Sequence, residues 1–198
     1  PPPFVLTESG QAGLVVAAAN RTALDLGITP GLRFTDARAR APQLLSGEID
    51  READARGLQA LAAWMVRWTP LTALDGMDGL MLETTGCDHL HGGEAAMVAA
   101  LSQRLARAGY VHRIGLAGTP GAASALARAA AREGVPALLP EGAERDGLAE
   151  LPVAVLRLST EAVTLLRRFG LTRIGQLYDI DRKALARRFQ SRDMADAA

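Results

Sequence analysis

The feature that most constrains the fold is a pair of short apolar runs around two Asp-Gly dipeptides, in residues 71–84, LTALDGMDGLMLET. Asp-Gly between apolar runs is the strongest short-range signal for a β-hairpin, because both residue types accept the backbone angles of tight turns. Each run also has the length of an ordinary strand. The sequence therefore predicts two antiparallel strands, with Asp75 and Asp78 as turn formers.

Before this hairpin the sequence predicts a smaller group of elements. Apolar runs at 4–6 and 14–17 predict two strands joined by a turn, and short helices are predicted at 21–26 and 35–41. Asp50 is the predicted N-cap of a longer amphipathic helix. The residues on or near its apolar face are Ala53, Leu58, Leu61, Trp64 and Met65.

After the hairpin, strands and helices alternate. The predicted elements are a glycine-rich loop at 86–93, a helix at 94–108, a strand at 110–117, a helix from Thr119-Pro120 to Gly134 and an extended piece at 135–139. This order matches a ferredoxin-like split βαβ sheet, an α+β fold, with a first strand expected before Pro1. Beyond Pro152 short helices follow, and a domain boundary is predicted near Gly147.

The net charge of the chain does not indicate a class of partner, but the distribution of charged residues along the chain is informative. The chain holds 22 Lys and Arg and 22 Asp and Glu, so the total neither favours nor excludes a polyanionic partner. Between Leu156 and Arg192, however, nine cations face three acids. The C-terminal quarter is therefore locally basic.

The remaining composition points to a reducing compartment. The single cysteine, Cys87, excludes an internal disulfide framework. No apolar run approaches the roughly 20 residues that span a bilayer, and Pro1-Pro2-Pro3 does not begin a signal peptide. We therefore expect a cytoplasmic protein.

Three blocks resemble motifs of the Y-family (DinB/UmuC-like, translesion) DNA polymerases. Residues 70–86, PLTALDGMDGLMLETTG, follow the palm signature PxVExxSIDExxLDxTG without a gap. Residues 20–31, NRTALDLGITPG, resemble the fingers block YEARxxGVxxG, and residues 115–124, GLAGTPGAAS, resemble the palm block GIAxNKxxAK. Because the blocks stand in the family's order, the chain is identified as a member, most similar to its ImuB-type branch, which is regarded as non-catalytic.

The resemblance implies a domain plan. Residues 1–65 correspond to the fingers, 66–147 to a ferredoxin-like palm whose first strand is absent from this chain, and 148–198 to a thumb that is helix-hairpin-helix-like. The family's little finger lies outside the chain. Fold and subdomain order are thus expected from the three blocks together.

The metal site of the family is degenerate here. Two-metal phosphoryl transfer needs several converging carboxylates, which the family takes from its first strand and from an Asp-Glu pair in the hairpin. Here Asp78 matches the Asp, but Gly79 stands at the position of the Glu. Asp78 is therefore predicted to be a vestigial turn residue, and neither a catalytic nor a metal site is expected. Glu83 is predicted to be a solvent-facing strand residue.

The family's triphosphate positions are also replaced. Its Tyr, Arg and Lys fall on Arg21, Leu24 and Ser124. A triphosphate needs fixed cations or hydroxyl donors at its oxygens, and Leu24 cannot substitute for a guanidinium. Arg21 could still meet a phosphate or be an ordinary solvated residue. The residues that bind the metal ions in the family and those that bind the triphosphate are thus replaced independently of each other.

The sequence of the predicted thumb permits two interpretations, one with DNA binding and one without it. The family's Gly-x-Gly turn, which aims backbone N–H groups at phosphate, is replaced by Arg157-Leu158-Ser159. Four arginines are candidates for sequence-independent DNA binding through side chains. They are Arg157, Arg167, Arg168 and Arg173. The competing interpretation is an ordinary charged helix surface.

Two further sets of residues are predicted to have structural roles rather than binding roles. Cys87, His89 and His91 are closer in sequence than usual zinc ligands and lack a fourth partner, so a zinc site is not favoured. Trp64 and Trp68, four residues apart, are predicted to belong to a helix core rather than to a base-stacking platform.

The resemblance implies a non-catalytic scaffold of a damage-induced translesion synthesis complex, without a cofactor, in the bacterial cytoplasm and nucleoid. Its implied partners are the sliding clamp, an ImuA-type RecA-like protein, an error-prone DnaE-type polymerase and DNA. One alternative is an active lesion-bypass polymerase with a rearranged Mg²⁺ site, and another is a protein-interaction module that never touches DNA. The whole assignment rests on family analogy.

Overall fold

The structure, a computed structural model, describes residues 1–11 and 13–180. They form two compact units, residues 1–67 with 72–80, and residues 68–71 with the described residues from 81 onward. The strands are β1 (Phe4–Gly10), β2 (Gly13–Ala19), β3 (Leu45–Glu48), β4 (Thr72–Asp75), β5 (Gly79–Leu82), β6 (Gly115–Leu116) and β7 (Ala137–Leu138). The α-helices are α1 (Arg21–Asp25), α2 (Phe34–Arg40), α3 (Arg51–Met65), α4 (Glu94–Arg107), α5 (Pro120–Ala125), α6 (Glu144–Leu148) and α7 (Thr160–Arg168).

The first unit is built on a three-stranded sheet of order β2-β1-β3. β1 and β2 form the predicted antiparallel hairpin, and β3 runs parallel to β1. Strand β3 was not predicted, because a four-residue segment containing Gly47 carries little local signal and is defined by its pairing with a distant strand. The outer edge of β2 is covered, since the Val16 N–H donates to the Leu32 carbonyl at 2.9 Å and the Gly31 N–H donates to the Val16 carbonyl at 2.8 Å.

The core of this unit lies on one face of the sheet. Apolar residues of β1, β2, α1 and α2 meet there with the turns between them, and water is excluded from all of them. The fully buried members are Val5, Val16, Ala23, Ile28, Ala37, Ala41 and Leu44. Both short helices were predicted. Each buries an alanine, Ala23 in α1 and Ala37 in α2, and this small side chain allows the helix to lie close to the sheet.

Helix α3 confirms its predicted cap but only part of its predicted apolar face. The Asp50 side chain accepts the Ala53 N–H at 2.8 Å, as expected of an N-cap. Of the predicted face, only Met65 is buried, whereas Leu58 and Leu61 are half-buried and Ala53 is exposed. The helix therefore contributes little to the core of its own unit.

The predicted β4–β5 hairpin and the helix α4 are confirmed with nearly the predicted bounds. The strand predicted over 110–117 is reduced to β6, which pairs in parallel with β7. The helix predicted to reach Gly134 ends at Ala130, after a π-helical turn (Leu126–Ala130), because Ala131 is extended. Among the described residues, β4–β5 and β6–β7 are separate two-stranded sheets.

Short helices follow one another over residues 144–177, as predicted. The boundary predicted near Gly147 falls inside α6, and the division into fingers, palm and thumb remains a prediction. The basic residues from Arg182 to Arg192 lie outside the described residues. In the part of the chain that the structure describes, every helix is too short or too polar to cross a membrane.

Candidate functional site

The turn of the β4–β5 hairpin places two acids in different environments. Asp75 ends β4 and is buried, whereas Asp78 lies in the turn and is exposed. Gly76 has φ +70°, a left-handed angle that favours glycine. The prediction that Asp75 is a turn residue was therefore wrong, because the turn begins one residue later.

Gly79, the first residue of β5, lies tightly against the end of β4. A Cβ at this position would lie 2.8 Å from the Asp75 carbonyl oxygen and 3.3 Å from the Asp75 Cβ. Both distances are shorter than ordinary van der Waals contact. The hairpin is thus shaped around a glycine at the position where the Y-family pair has its Glu.

Glu83 is engaged in a local turn just after β5. Its Oε1 accepts the Thr85 N–H at 2.9 Å and the Thr85 hydroxyl at 2.5 Å. These hydrogen bonds, led by the hydroxyl, lower the pKa of Glu83 below its usual value. Glu83 is exposed, as predicted, but it follows the strand instead of belonging to it.

The hairpin does not fit a two-metal centre. Magnesium ions bridging a triphosphate need convergent carboxylates. Among the described residues, no group of three or more His, Cys, Asp or Glu side chains is arranged to hold a metal ion. Gly79 supplies no carboxylate, so the hairpin by itself offers only Asp75 and Asp78, fewer than the converging carboxylates of the site that the fold family implies.

The cysteine-histidine loop is a packing element. Residues 88–91 form a 3₁₀ turn, and the His91 ring lies 4.8 Å, centroid to centroid, from the ring of Trp68. Trp68 is buried, but it lies beyond the end of α3 and is therefore not a helix residue. Trp64 is within α3 and half-buried, with the Arg67 guanidinium 4.8 Å from its ring centroid.

Arg21 and Leu24 stand at the positions where the fingers block of the Y family has its triphosphate-binding Tyr and Arg. Arg21 begins α1, and its Nε lies 3.0 Å from the Asp25 carboxylate. Leu24, at the family's Arg position, is 41% exposed and offers no donor. Arg21 thus has an acidic neighbour one helical turn away, in an exposed ion pair that leaves the guanidinium accessible to solvent.

Asn20, which precedes this helix, was not singled out from the sequence. Its Oδ1 accepts the Ala23 N–H at 2.9 Å and the Phe4 N–H at 3.1 Å, and its Nδ2 donates to the Pro2 carbonyl at 2.8 Å. The side chain thus caps α1 and anchors it to the start of β1. Asparagine directly before a short helix is the signal that would have identified this role.

The residue at the position of the family's palm lysine is buried. Ser124, at the family's Lys position, is 5% exposed, and within the described residues its Oγ has no hydrogen-bond partner. Thr119 accepts the Ala122 N–H at 3.3 Å and so acts as the predicted cap of α5. Ser124 therefore faces the interior, where a triphosphate could not reach it.

The turn before α7, in the predicted thumb, is capped by the chain's own side chains. Ser159 accepts the Ala162 N–H at 3.2 Å at the start of α7. Glu161 was not singled out from the sequence. Its pKa is lowered because its carboxylate accepts hydrogen bonds from its own backbone N–H, the larger cause, and from the Ser159 hydroxyl. An acid in the first turn also complements the helix dipole.

The four candidate DNA-binding arginines are all exposed. Arg167 and Arg168 lie in the last turn of α7, where cations complement the helix dipole. Arg173 forms an ion pair with Glu150. Arg157 precedes the cap of α7. Their arrangement is compatible with a basic surface and also with ordinary helix stabilisation.

Comparison with known proteins identifies the fold and the family. The model of the impB/mucB/samB family matches residues 2–128. Protein ImuB of Caulobacter vibrioides is 46% identical over 164 residues, which are 83% of this chain and 35% of that protein. DNA polymerase IV of Dehalococcoides mccartyi is 28% identical over 165 residues, 82% of this chain and 42% of that protein. The chain thus spans about a third of the length of its ImuB relative.

Solved structures share the fold at low sequence identity. DinB from Sulfolobus solfataricus superposes with a TM-score of 0.70 at 14% identity, over 94% of this chain and 55% of that one. The post-insertion binary complex of Dbh DNA polymerase gives 0.72 at 16% identity, over 91% and 53%. The predicted α+β polymerase palm and fingers fold is therefore confirmed. The chain belongs to the impB/mucB/samB family of Y-family polymerase-like proteins.

Proposed function

We propose that this chain is part of a non-catalytic Y-family polymerase-like scaffold in a damage-induced translesion synthesis complex. Its high identity to a protein named ImuB supports this branch of the family. On the same analogy, the partners are the sliding clamp, an ImuA-type RecA-like protein and an error-prone DnaE-type polymerase. The proposal places the protein in the bacterial cytoplasm, at the nucleoid.

The observation that carries the non-catalytic assignment is the packing of Gly79. A side chain there would meet the Asp75 carbonyl oxygen at 2.8 Å, so an acid could be added only if the hairpin moved. A catalytic carboxylate must instead be held firmly in its productive geometry. The absence of an acid at this position is therefore built into the backbone of the hairpin.

The phosphate positions support the same conclusion. Arg21 is paired with Asp25, Leu24 has no donor, and Ser124 is buried. Phosphoryl transfer depends almost entirely on positioning and on electrostatic stabilisation of the phosphates. A chain that lacks these contacts as well as the paired acid would have little with which to bind or activate a nucleoside triphosphate.

The alternative is an active polymerase with a rearranged site, and one observation favours it. The Asp75 Oδ2 lies 3.6 Å from the point where a Cβ of residue 79 would stand. Its carboxylate thus lies near the position of the missing Glu. Such a site would use Asp75 and Asp78 with an acid from outside residues 1–198, for example an Asp-x-Asp strand.

A mutagenesis assay in cells tests the proposal. In a strain that lacks the gene, the full-length protein with Asp78→Ala should restore damage-induced mutagenesis as well as the unchanged protein does, at equal protein abundance. Asp78 is exposed, so its loss should leave the fold intact. Loss of mutagenesis with normal abundance and normal partner binding would support the polymerase alternative.

A further inference from the structure

The three-stranded sheet of the first unit has one covered edge and one open edge. Residues 31–33 cover β2, partly through an isolated bridge between Val15 and Arg33. On the other side, β3 is the last strand, and among the described residues no strand pairs with it from outside. Open strand edges are templates for pairing with another chain, and natural proteins usually protect them.

The register of β3 determines which backbone groups remain open. The Leu45 N–H donates to the Pro3 carbonyl and the Ile49 N–H donates to the Thr7 carbonyl, both at 3.0 Å. In a parallel ladder, alternate residues of a strand bond to the same neighbour. The N–H and C=O groups of Ser46 and Glu48 therefore point away from β1, and both residues are exposed.

An apolar strip lies beside this edge. Leu45 pairs with Phe4 in the ladder, and their side chains are 52% and 37% exposed. The Phe4 ring extends along the strand, because a Cβ at Gly47 would lie 3.4 Å from the Phe4 Cζ. A strand added next to β3 would therefore bury apolar side chains on this face.

The end of β3 is acidic. Residues 48–54 contain four acids and one arginine, Arg51, whose charge is matched by Glu8 at 2.5 Å. An open depression of about 490 Å³ lies at this end and is lined by Glu48, Ile49, Asp50, Arg51 and Glu52. The surplus of negative charge favours a cationic partner.

We propose that the open edge of β3 binds an extended segment of a partner protein as a fourth strand, with apolar side chains on Phe4 and Leu45 and Lys or Arg side chains at Glu48. This mode of recognition takes affinity from main-chain hydrogen bonds and specificity from alternate side chains. A second copy of this chain fits less well, because antiparallel pairing of two β3 strands places Leu45 and Ser46 of one copy beside the acidic end of the other and supplies no cation there. The inference rests on the proposed scaffold function and adds to it a surface and a partner chemistry.

The test uses the full-length protein and a fluorescein-labelled peptide of alternating valine and lysine. Fluorescence anisotropy should show saturable binding, weakened about tenfold or more by Ser46→Pro, because proline removes an outward donor and clashes with an added strand. Ser46→Pro leaves the bonds between β3 and β1 in place, and its melting temperature checks this. Glu48→Lys should weaken binding similarly without touching the backbone.

Two controls separate strand addition from simple charge attraction. Glu133→Lys, an exposed position in the other unit, should leave binding unchanged. A peptide N-methylated at alternate residues should not bind. The proposal is overturned if the unmodified peptide does not bind, or if all variants bind it equally. Primer extension is independent of this assay, so failure here is distinguishable from failure of the scaffold proposal.

Discussion

At the scale of single residues, Gly79 is the position at which this hairpin departs from the Asp-Glu pair of the Y family. Gly79→Ala should destabilise the chain by about 1–3 kcal/mol, since the added methyl would overlap the Asp75 carbonyl. Urea unfolding followed by circular dichroism measures this change. Gly57→Ala is the matched control, because its Cβ would meet nothing within 4 Å in the helix α3. That variant should gain roughly 0.5–1 kcal/mol, and equal effects of the two substitutions would contradict the packing argument.

A second residue-scale prediction concerns Glu161 and pH. Hydrogen bonds lower its pKa below the ordinary value of 4.5, so the charged form stabilises the folded state. That contribution is complete above pH 4.5 and is lost as the pH falls through the lower folded pKa. The unchanged protein should therefore melt above Glu161→Gln at neutral pH, and the two should converge in acid. A difference in melting temperature that stays constant from pH 7 to about pH 2 would rule this out.

Resemblance to a family identified Asp78, Gly79, Arg21 and Ser124 as positions of interest, but it could not supply their environments. The burial of Asp75 depends on where the turn begins, and a shift of one residue reverses the direction of a strand side chain. The close contact at Gly79 depends on the same register. These features come from the three-dimensional pairing of β4 and β5, which a sequence pattern does not specify.

At the scale of elements, the contact between β6 and α5 should be sensitive to substitution. A Cβ at Gly115 would lie 2.6 Å from the Ala127 nitrogen and would also overlap the Ala123 carbonyl. Gly115→Ala should therefore cost roughly 1–3 kcal/mol of unfolding free energy in a urea titration. Gly121→Ala, in α5 itself, meets nothing within 4 Å and should cost far less. The opposite ranking would show that β6 and α5 are not packed as described.

The helix α7 allows the DNA question to be tested. Arg167→Ala with Arg168→Ala should weaken single-stranded DNA binding and reduce the salt slope of log K by about one or two, if each arginine meets a phosphate. The matched control removes Arg104 and Arg107, which lie in the last turn of another helix, α4. Equal losses in both double variants would mean that total charge alone determines binding.

Elements with strong local signals could be predicted from sequence, and the others could not. The Asp-Gly hairpin and the capped helix α3 carry their signals within a few residues. The strand β3 and the length of β6 depend on partners far away in the chain, so local patterns missed the first and overestimated the second. The helical run that begins with α5 was likewise predicted to end at Gly134, although it ends earlier, at Ala130, after the π-helical turn.

At the scale of the whole molecule, the chain keeps the fold of its family, and two of its candidate phosphate-binding arginines form ion pairs with acids of their own unit. In the first unit Asp25 matches Arg21, and in the second Glu150 matches Arg173. Fold alone does not determine activity, which resides in specific side chains. The composition is consistent with this balance, since cations and anions are equal in number.

Primer extension by the full-length protein, with Mg²⁺ or Mn²⁺ and all four dNTPs, tests directly whether the polymerase site is inactive. We predict no extension, either by the unchanged protein or by Asp78→Ala, from preparations that are folded and bind a partner such as the sliding clamp. Extension by the unchanged protein that disappears in Asp78→Ala would show an active polymerase and identify Asp78 as a metal ligand.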